Sequence, residues 1–167
     1  SILPSLKLTA GIRHDSNSAF GSHNSPSVSL GYDIDPMTHA YVSYSEYFLT
    51  PTPNQLYAPI YGNANLKPES GNTKEIGIAR DFGRGLSLTA SYFMRHSKNR
   101  IGYHPVTYQN INVGDEDAHG WSLQLAKRMD SHWRTRLGYT LTHIGKTEQR
   151  GVNVDGYLPK DQWNIGL

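Results

Sequence analysis

The sequence predicts an all-β protein, built as an antiparallel up-and-down sheet of about eight strands. Eight segments alternate apolar and polar residues with a period of two, which is typical of strands with one apolar and one polar face. No segment of comparable length repeats with the 3.6-residue period of a helix, so we predict no helix. The 16 glycines, the 11 tyrosines and a charged fraction of only 18% also favour strands.

The eight segments follow one another along the whole chain. The residues between their apolar positions are mostly Ser, Thr, Gly, Asn, Gln and Arg. In chain order, the apolar positions are Leu6, Leu8, Ala10 and Ile12; Val28, Leu30, Tyr32 and Ile34; Ala40, Val42 and Tyr44; Ile76 and Ile78; Leu86, Leu88, Ala90, Tyr92 and Met94; Trp121, Leu123 and Leu125; Trp133, Leu137, Tyr139 and Leu141; and Trp163, Ile165 and Leu167.

The connections between these segments alternate in length. Short turns are predicted at 35–38, 81–85 and 129–132, and long connections at 14–25, 48–72, 102–115 and 146–158. Barrels of outer membranes have short turns at one rim and long loops at the other. The alternation therefore favours such a barrel, or a segment of one.

Composition excludes several classes of protein. Lys and Arg number 16 against 14 Asp and Glu, so there is no basic excess for binding nucleic acid. The chain has no cysteine, which excludes disulfides and thiol chemistry. With a mean hydropathy of −0.58, it contains no apolar run of the length that a transmembrane helix needs. No phosphate loop, nucleophile elbow or catalytic carboxylate pair is present, so we predict neither an enzyme nor a cofactor.

Aromatic residues favour a membrane barrel over a soluble one. A soluble barrel buries its apolar face inside, whereas a membrane barrel turns that face to lipid. Six aromatic residues share the apolar phase, several of them near strand ends, as in the aromatic girdle of a membrane barrel: Tyr32, Tyr44, Tyr92, Trp121, Trp133 and Tyr139. We therefore expect contact with outer-membrane lipid.

The stretch from Tyr41 to Gly77 resembles a known family. It reads YVSYSEYF at 41–48, TPTPNQLY at 50–57, YGNANLKPES at 61–70 and EIG at 75–77. In order and spacing this is similar to the barrel of TonB-dependent outer-membrane receptors, and the later runs YQNIN at 108–112 and GWSL at 120–123 extend the match over most of 26–128.

The resemblance implies a barrel of about 22 strands around a plug. Such receptors bind a scarce nutrient, a ferric siderophore or cobalamin, and import it with energy that TonB delivers through the plug. Residues 1–167 would form one barrel segment, without the plug and without the C-terminal strands. Haem receptors of the family carry a His between two boxes that correspond here to 48–51 and 63–66. Residues 52–62 contain no His, so haem is not the expected cargo.

Candidate ligand contacts are aromatic and amide side chains at the end of the long loops, because rings stack on conjugated ligands and amides orient them. They are Asn54, Gln55, Tyr57, Tyr61, Tyr103, His104, Tyr108 and Gln109. Asn63, Asn65, Pro68 and Glu69 are expected to shape the loop where it re-enters the sheet.

Metal binding has little support in the sequence. The eight histidines form no pair at the spacing of metal ligands. His14 and His23 flank one long connection and would form a site only if they meet in space. Residues 115–117, Asp-Glu-Asp, suit either a calcium loop or, more commonly, a solvated loop end.

Two alternative functions remain open at this stage. One is a self-standing eight-stranded outer-membrane protein with a structural or adhesive role, since eight strands make the smallest closed barrel. The other is a soluble calyx with a dry apolar interior. An isolated segment would have two unpaired edges, and we expect it to dimerise through them, close into a small barrel or aggregate.

Overall fold

The computed structural model describes residues 5–129, 133–147 and 160–166, which form one eight-stranded antiparallel sheet. Each strand pairs with its neighbours in sequence, so the spatial order is β1 to β8 and the predicted up-and-down sheet is confirmed. The sheet is open, with β1 and β8 at its edges. The elements are β1 (Leu6–Asn17), β2 (Gly21–Asp35), β3 (Thr38–Leu49), α1 (Pro53–Tyr57), β4 (Glu69–Asp81), β5 (Leu86–His104), β6 (Gln109–Arg128), β7 (Arg134–Thr147) and β8 (Asp161–Gly166).

One face of the sheet is apolar and exposed. The pairing registers align a continuous row of these residues across seven strands, namely Leu8, Leu30, Val42, Ile76, Tyr92, Trp121 and Leu141. Ile12 and Ile76 are 70% and 61% exposed. An apolar surface this extensive is characteristic of a face that contacts something apolar outside the chain.

The opposite face is polar, and several of its rings lie over glycines. A Cβ atom added at Gly77 would lie 2.4 Å from Cζ of Tyr41, and one at Gly120 would lie 2.8 Å from Cζ of Phe93. The Tyr41 hydroxyl donates to Oε1 of Glu75 at 2.6 Å. Glycine at these positions allows a ring to lie directly on the neighbouring strand.

The structure contains a short helix, α1, so the prediction of no helix is wrong. Thr52 begins it with a capping box: the Thr52 side chain accepts from the Gln55 backbone N–H, and the Gln55 side chain accepts from the Thr52 backbone N–H. Pro53 occupies the first turn, where its missing N–H costs nothing. Five residues are too few to show a 3.6-residue period, although Thr52 followed by Gln55 is a recognisable capping signal.

Two of the predicted long connections are tight hairpins. Strands β1 and β2 extend to Asn17 and Gly21, and β5 and β6 are joined over 105–108. Polar residues at 14–25 and 102–115 suggested loops, but most of them pair across these hairpins. The connection over 50–68 is long, as expected, whereas most of 146–158 lies outside the described residues.

Short turns join the strands at the opposite end of the sheet. The predicted turns at 35–38 and 81–85 are present, and 130–132 lie outside the described residues. At the first turn the Met37 backbone N–H donates to Oδ1 of Asp35 at 2.8 Å. That hydrogen bond, followed by one from Thr38, holds the pKa of Asp35 below its ordinary value.

The described residues include no helix long and apolar enough to cross a membrane.

Candidate functional site

The long connection over 50–68, called here the β3–β4 loop, is bound to the β5–β6 hairpin. The Asn110 backbone N–H donates to the Tyr61 carbonyl at 2.8 Å, and Nδ2 of Asn63 donates to the Asn110 carbonyl at 2.8 Å. These bonds join segments about 50 residues apart in sequence. They bring the two groups of predicted ligand residues, 54–61 and 103–109, to the same end of the sheet.

Asn112 anchors the same contact through its side chain. Its Oδ1 accepts from the Lys67 backbone N–H at 2.8 Å, and its Nδ2 donates to the carbonyls of Lys67 at 3.0 Å and Asn99 at 2.7 Å. Apolar packing accompanies these hydrogen bonds. Leu56 and Leu66 of the loop and Val113 of the hairpin are among the few buried apolar side chains of the described residues. The loop is therefore a fixed part of the structure.

The residues expected to shape the loop have that role in part. Oδ1 of Asn63 accepts from the Asn65 backbone N–H at 3.0 Å, in addition to the Asn63 bond to Asn110. A carboxylate oxygen of Glu69 accepts from the Ile101 backbone N–H. Both side chains therefore form hydrogen bonds within the protein, in agreement with the expectation that they shape the loop.

Within the first group of candidates, three of the four side chains are already engaged. The Gln55 side chain caps α1, and the Asn54 amide exchanges hydrogen bonds with the Tyr61 hydroxyl at 3.1 and 3.3 Å. Tyr57 is 71% exposed, and no hydrogen bond to its hydroxyl is present among the described residues. Tyr57 is thus the most available of the four.

The second group surrounds the tip of the β5–β6 hairpin. Nδ1 of His104 accepts from the backbone N–H groups of Val106 and Thr107, both at 3.2 Å, so this ring stabilises the turn. Gln109 lies opposite His104 in the strand pairing. The rings of Tyr103 and Tyr108 pack edge to face with centroids 6.4 Å apart, and both are exposed. The available side chains here are those of the two tyrosines and of Gln109, which is also exposed.

A charge cluster around a buried carboxylate lies near the same hairpin, and no pattern in the sequence indicates it directly. Arg100 Nη1 donates to Oε2 of Glu116, and Nη2 of Arg95 lies 3.6 Å from Oε1 of the same carboxylate. Glu116 is only 2% exposed. The strand irregularities between Ser97 and Arg100 bring both guanidinium groups to one carboxylate.

The expectation for 115–117 is wrong, because these residues belong to a strand and not to a loop. Glu116 points to the buried cluster, whereas the Asp117 carboxylate bonds His96 at 2.7 Å and is exposed. Carboxylates that alternate between the two faces of a strand do not converge on one ion.

The two histidines that flank the first connection do not meet. In the β1–β2 pairing His14 lies opposite Asn24, to which it bonds at 2.7 Å, while His23 lies opposite Asp15 and stacks on Phe48 at 4.3 Å. Their side chains are on opposite faces of the hairpin. Across the described ranges, no three His, Asp or Glu side chains are grouped closely enough to hold a metal ion.

Replacing Asn112 with alanine is expected to release the β3–β4 loop, because this one side chain provides two of the hydrogen bonds that hold it, both to the Lys67 backbone. Amide hydrogen exchange over 60–68 should rise by about fivefold or more in the variant, as one lost anchor is worth about 1–3 kcal/mol. Asn65→Ala is the matched control, since it removes the same amide from the loop and no side-chain bond of the described structure. Unchanged exchange in Asn112→Ala would show that the loop is held by other contacts.

An open sheet with an exposed apolar face, a polar face and structured loops at one end defines the wall of a membrane β-barrel. The family model described as "TonB dependent receptor-like, beta-barrel" matches residues 1–167. The chain therefore belongs to the TonB-dependent receptors, a family of receptors and transporters of the outer membrane, and this confirms the resemblance, the fold and the location predicted from sequence.

Two curated relatives show the range of the family. The chain is 32% identical over 115 residues to the vitamin B12 transporter BtuB of Vibrio cholerae, covering 68% of this chain and 18% of that protein. It is 27% identical over 192 aligned positions to the iron-regulated outer membrane virulence protein of V. cholerae, covering 97% of this chain and 29% of that protein. The chain thus spans less than a third of either relative.

Solved structures share the fold. The siderophore receptor PirA of Pseudomonas aeruginosa superposes with a TM-score of 0.72 at 24% identity, over 86% of this chain and 29% of that chain. FpvA of P. aeruginosa, solved with a heterologous pyoverdine, gives 0.67 at 22% identity, over 99% of this chain and 24% of that chain. In both cases the match is to part of a much larger barrel.

Proposed function

We propose that the chain is a wall segment of an outer-membrane receptor that binds a scarce nutrient, a ferric siderophore or cobalamin, and imports it with energy supplied through TonB. The observation that carries the proposal is the hydrogen-bonded contact between the β3–β4 loop and the β5–β6 hairpin. It presents the rings of Tyr57, Tyr103 and Tyr108 on a fixed support. Exposed aromatic rings on a rigid scaffold suit conjugated or aryl ligands.

The relatives support the same proposal. Their names specify vitamin B12 in one case and siderophores in others, and both cargoes are bulky chelates. The proposal includes a plug inside the completed barrel, through which TonB acts. It also includes that the chain has no catalytic role. The exposed apolar face does not fit a soluble calyx, in which those residues would line a dry interior.

Uptake by cells tests the proposal directly. A strain that lacks the full-length protein is compared with one that carries it, using labelled cobalamin and labelled ferric siderophores under vitamin and iron limitation. We expect the protein to restore uptake of at least one of these nutrients. No restoration of any of them would overturn the proposed function.

The tyrosines are tested by measuring how tightly the same cells bind the labelled nutrient. Tyr57→Ala combined with Tyr103→Ala is expected to weaken nutrient binding about tenfold, the loss of two aromatic contacts. Tyr32→Ala is the matched control, because Tyr32 is also 48% exposed, like Tyr103, but lies on the apolar face near the short turns. Equal binding by the double variant and the control would exclude these rings from the binding site.

A further inference from the structure

A polar cavity of about 590 Å³ lies at the short-turn end of the sheet, away from the tyrosines. Three arginines from β6 and β7, Arg128, Arg134 and Arg136, line it. Ser87, Thr89 and Gln124 add hydroxyl and amide groups. All of these side chains lie on the polar face, in alternation with apolar residues such as Leu125 and Leu137.

The arrangement of the arginines is unfavourable without a counter-charge. Arg128 lies directly opposite Arg134 in the β6–β7 pairing, and Arg136 lies one step along the same face, opposite Ala126. Like charges placed directly opposite each other destabilise a sheet. A bound anion would remove this repulsion.

Other arginines on the polar face are neutralised by neighbours. Arg13 pairs with Asp15 at 2.8 Å, and Arg95 and Arg100 share Glu116. None of the three cavity arginines forms an ion pair within the described ranges. The one carboxylate that lines the cavity, that of Asp81, already accepts from the Gly83 backbone N–H at 2.7 Å in its own turn.

We propose that this cavity is a binding site for a small multivalent oxyanion, and that the imported nutrient is an anionic ferric chelate. The proposal rests on the proposed function for its cargo. Guanidinium groups bind carboxylate and other paired oxygens in a bidentate manner, and the volume suits a small molecule. Short turns lie at the periplasmic rim of outer-membrane barrels, so the site lies where cargo leaves the interior. A corrinoid without several anionic oxygens would gain little there.

Calorimetry with citrate as the probe tests the site on the purified protein at its native length in detergent. We expect saturable binding at low salt, with acetate binding at least tenfold more weakly because it offers one carboxylate. Arg134→Gln combined with Arg136→Gln should weaken citrate binding at least tenfold. Lys127→Gln is the matched control, since Lys127 is adjacent to Arg128 but on the other face, and it should bind as the wild type does.

Stability separates loss of binding from loss of folding. Citrate should raise the unfolding temperature of the wild type and of Lys127→Gln, but not of the double arginine variant. Without citrate, the double variant should be no less stable than the wild type, because it relieves repulsion. The proposed site would be contradicted if the wild type did not bind citrate saturably. It would also be contradicted if Lys127→Gln lost as much citrate affinity as the double arginine variant.

Uptake then tests the choice of cargo. The double arginine variant should slow import of an anionic ferric chelate and leave cobalamin import unchanged. A protein that imports only cobalamin would contradict the anionic cargo while leaving the receptor function intact. A protein that imports neither would contradict the receptor function, and the citrate measurement would still decide the site.

Discussion

Replacing Glu116 with glutamine is expected to lower the free energy of unfolding by about 3 kcal/mol, since removal of one partner from a buried ion cluster costs roughly 3–5 kcal/mol. Glu116 is 2% exposed and serves both Arg95 and Arg100. Without its charge, two guanidinium groups remain close together with no counter-charge. The lower end of the range applies because the side chains of Arg95 and Arg100 remain 38% and 25% exposed, so water still reaches their charges.

Urea unfolding of the native-length barrel in lipid vesicles measures this loss. Asp117→Asn is the matched control, because it removes the neighbouring carboxylate, which is 67% exposed and pairs with His96 on the other face. Exposed pairs contribute about 0–1 kcal/mol, so the control should change little. If the free energy of unfolding falls equally in both variants, the buried cluster does not stabilise the barrel.

Replacing Leu30 with arginine is expected to lower barrel stability by about 2–4 kcal/mol, the cost of a cation at the centre of a lipid-facing strand. Leu30 lies within the apolar stretch of β2 between Val28 and Ile34, and its neighbours across the sheet are Leu8 and Val42. In contact with lipid, the guanidinium group has no water to hydrate it.

Ser29→Arg is the control for Leu30→Arg, because it places the same charge one residue away on the polar face. The fraction of protein that inserts into vesicles should fall for Leu30→Arg and remain near the wild-type level for Ser29→Arg. The opposite order would mean that the apolar face is turned inward, as in a soluble calyx.

The sequence was sufficient to predict the sheet because strand periodicity depends on one simple property. Each strand exposes one face to an apolar medium, so the alternation at Leu6–Ile12 or Trp121–Leu125 is regular and directly visible. The family followed from 41–77, where the order of turn and strand residues is specific. Both predictions rest on local patterns that can be recognised without knowledge of tertiary contacts.

Connections were predicted less well, because polarity alone does not distinguish a loop from a strand with two polar faces. Residues 102–104 and 109–115 are polar enough to suggest a loop, yet most of them pair in the β5–β6 hairpin. The helix α1 was not predicted because its five residues are too few to show a helical period, which leaves only its N-terminal signals, the capping box of Thr52 and Gln55 and the proline at 53.

The candidate site was predictable in its location and only partly in its residues. Tyr57, Tyr103 and Tyr108 were identified and are exposed at one end, and their role in binding stays a prediction. Gln55 and His104 were also identified, but their side chains serve a helix cap and a turn. Asn112 and Glu116 were not recognised as anchors, because their importance arises from partners up to 45 residues away.

The most direct test of the central claim is the mass of the native polypeptide in outer-membrane and soluble fractions, determined by blotting with an antibody against this chain. As a wall segment of a nutrient importer, the chain should be found in the outer membrane in a band several times larger than 18.7 kDa. A band near 18.7 kDa in the outer membrane would contradict that account and favour a small self-standing barrel.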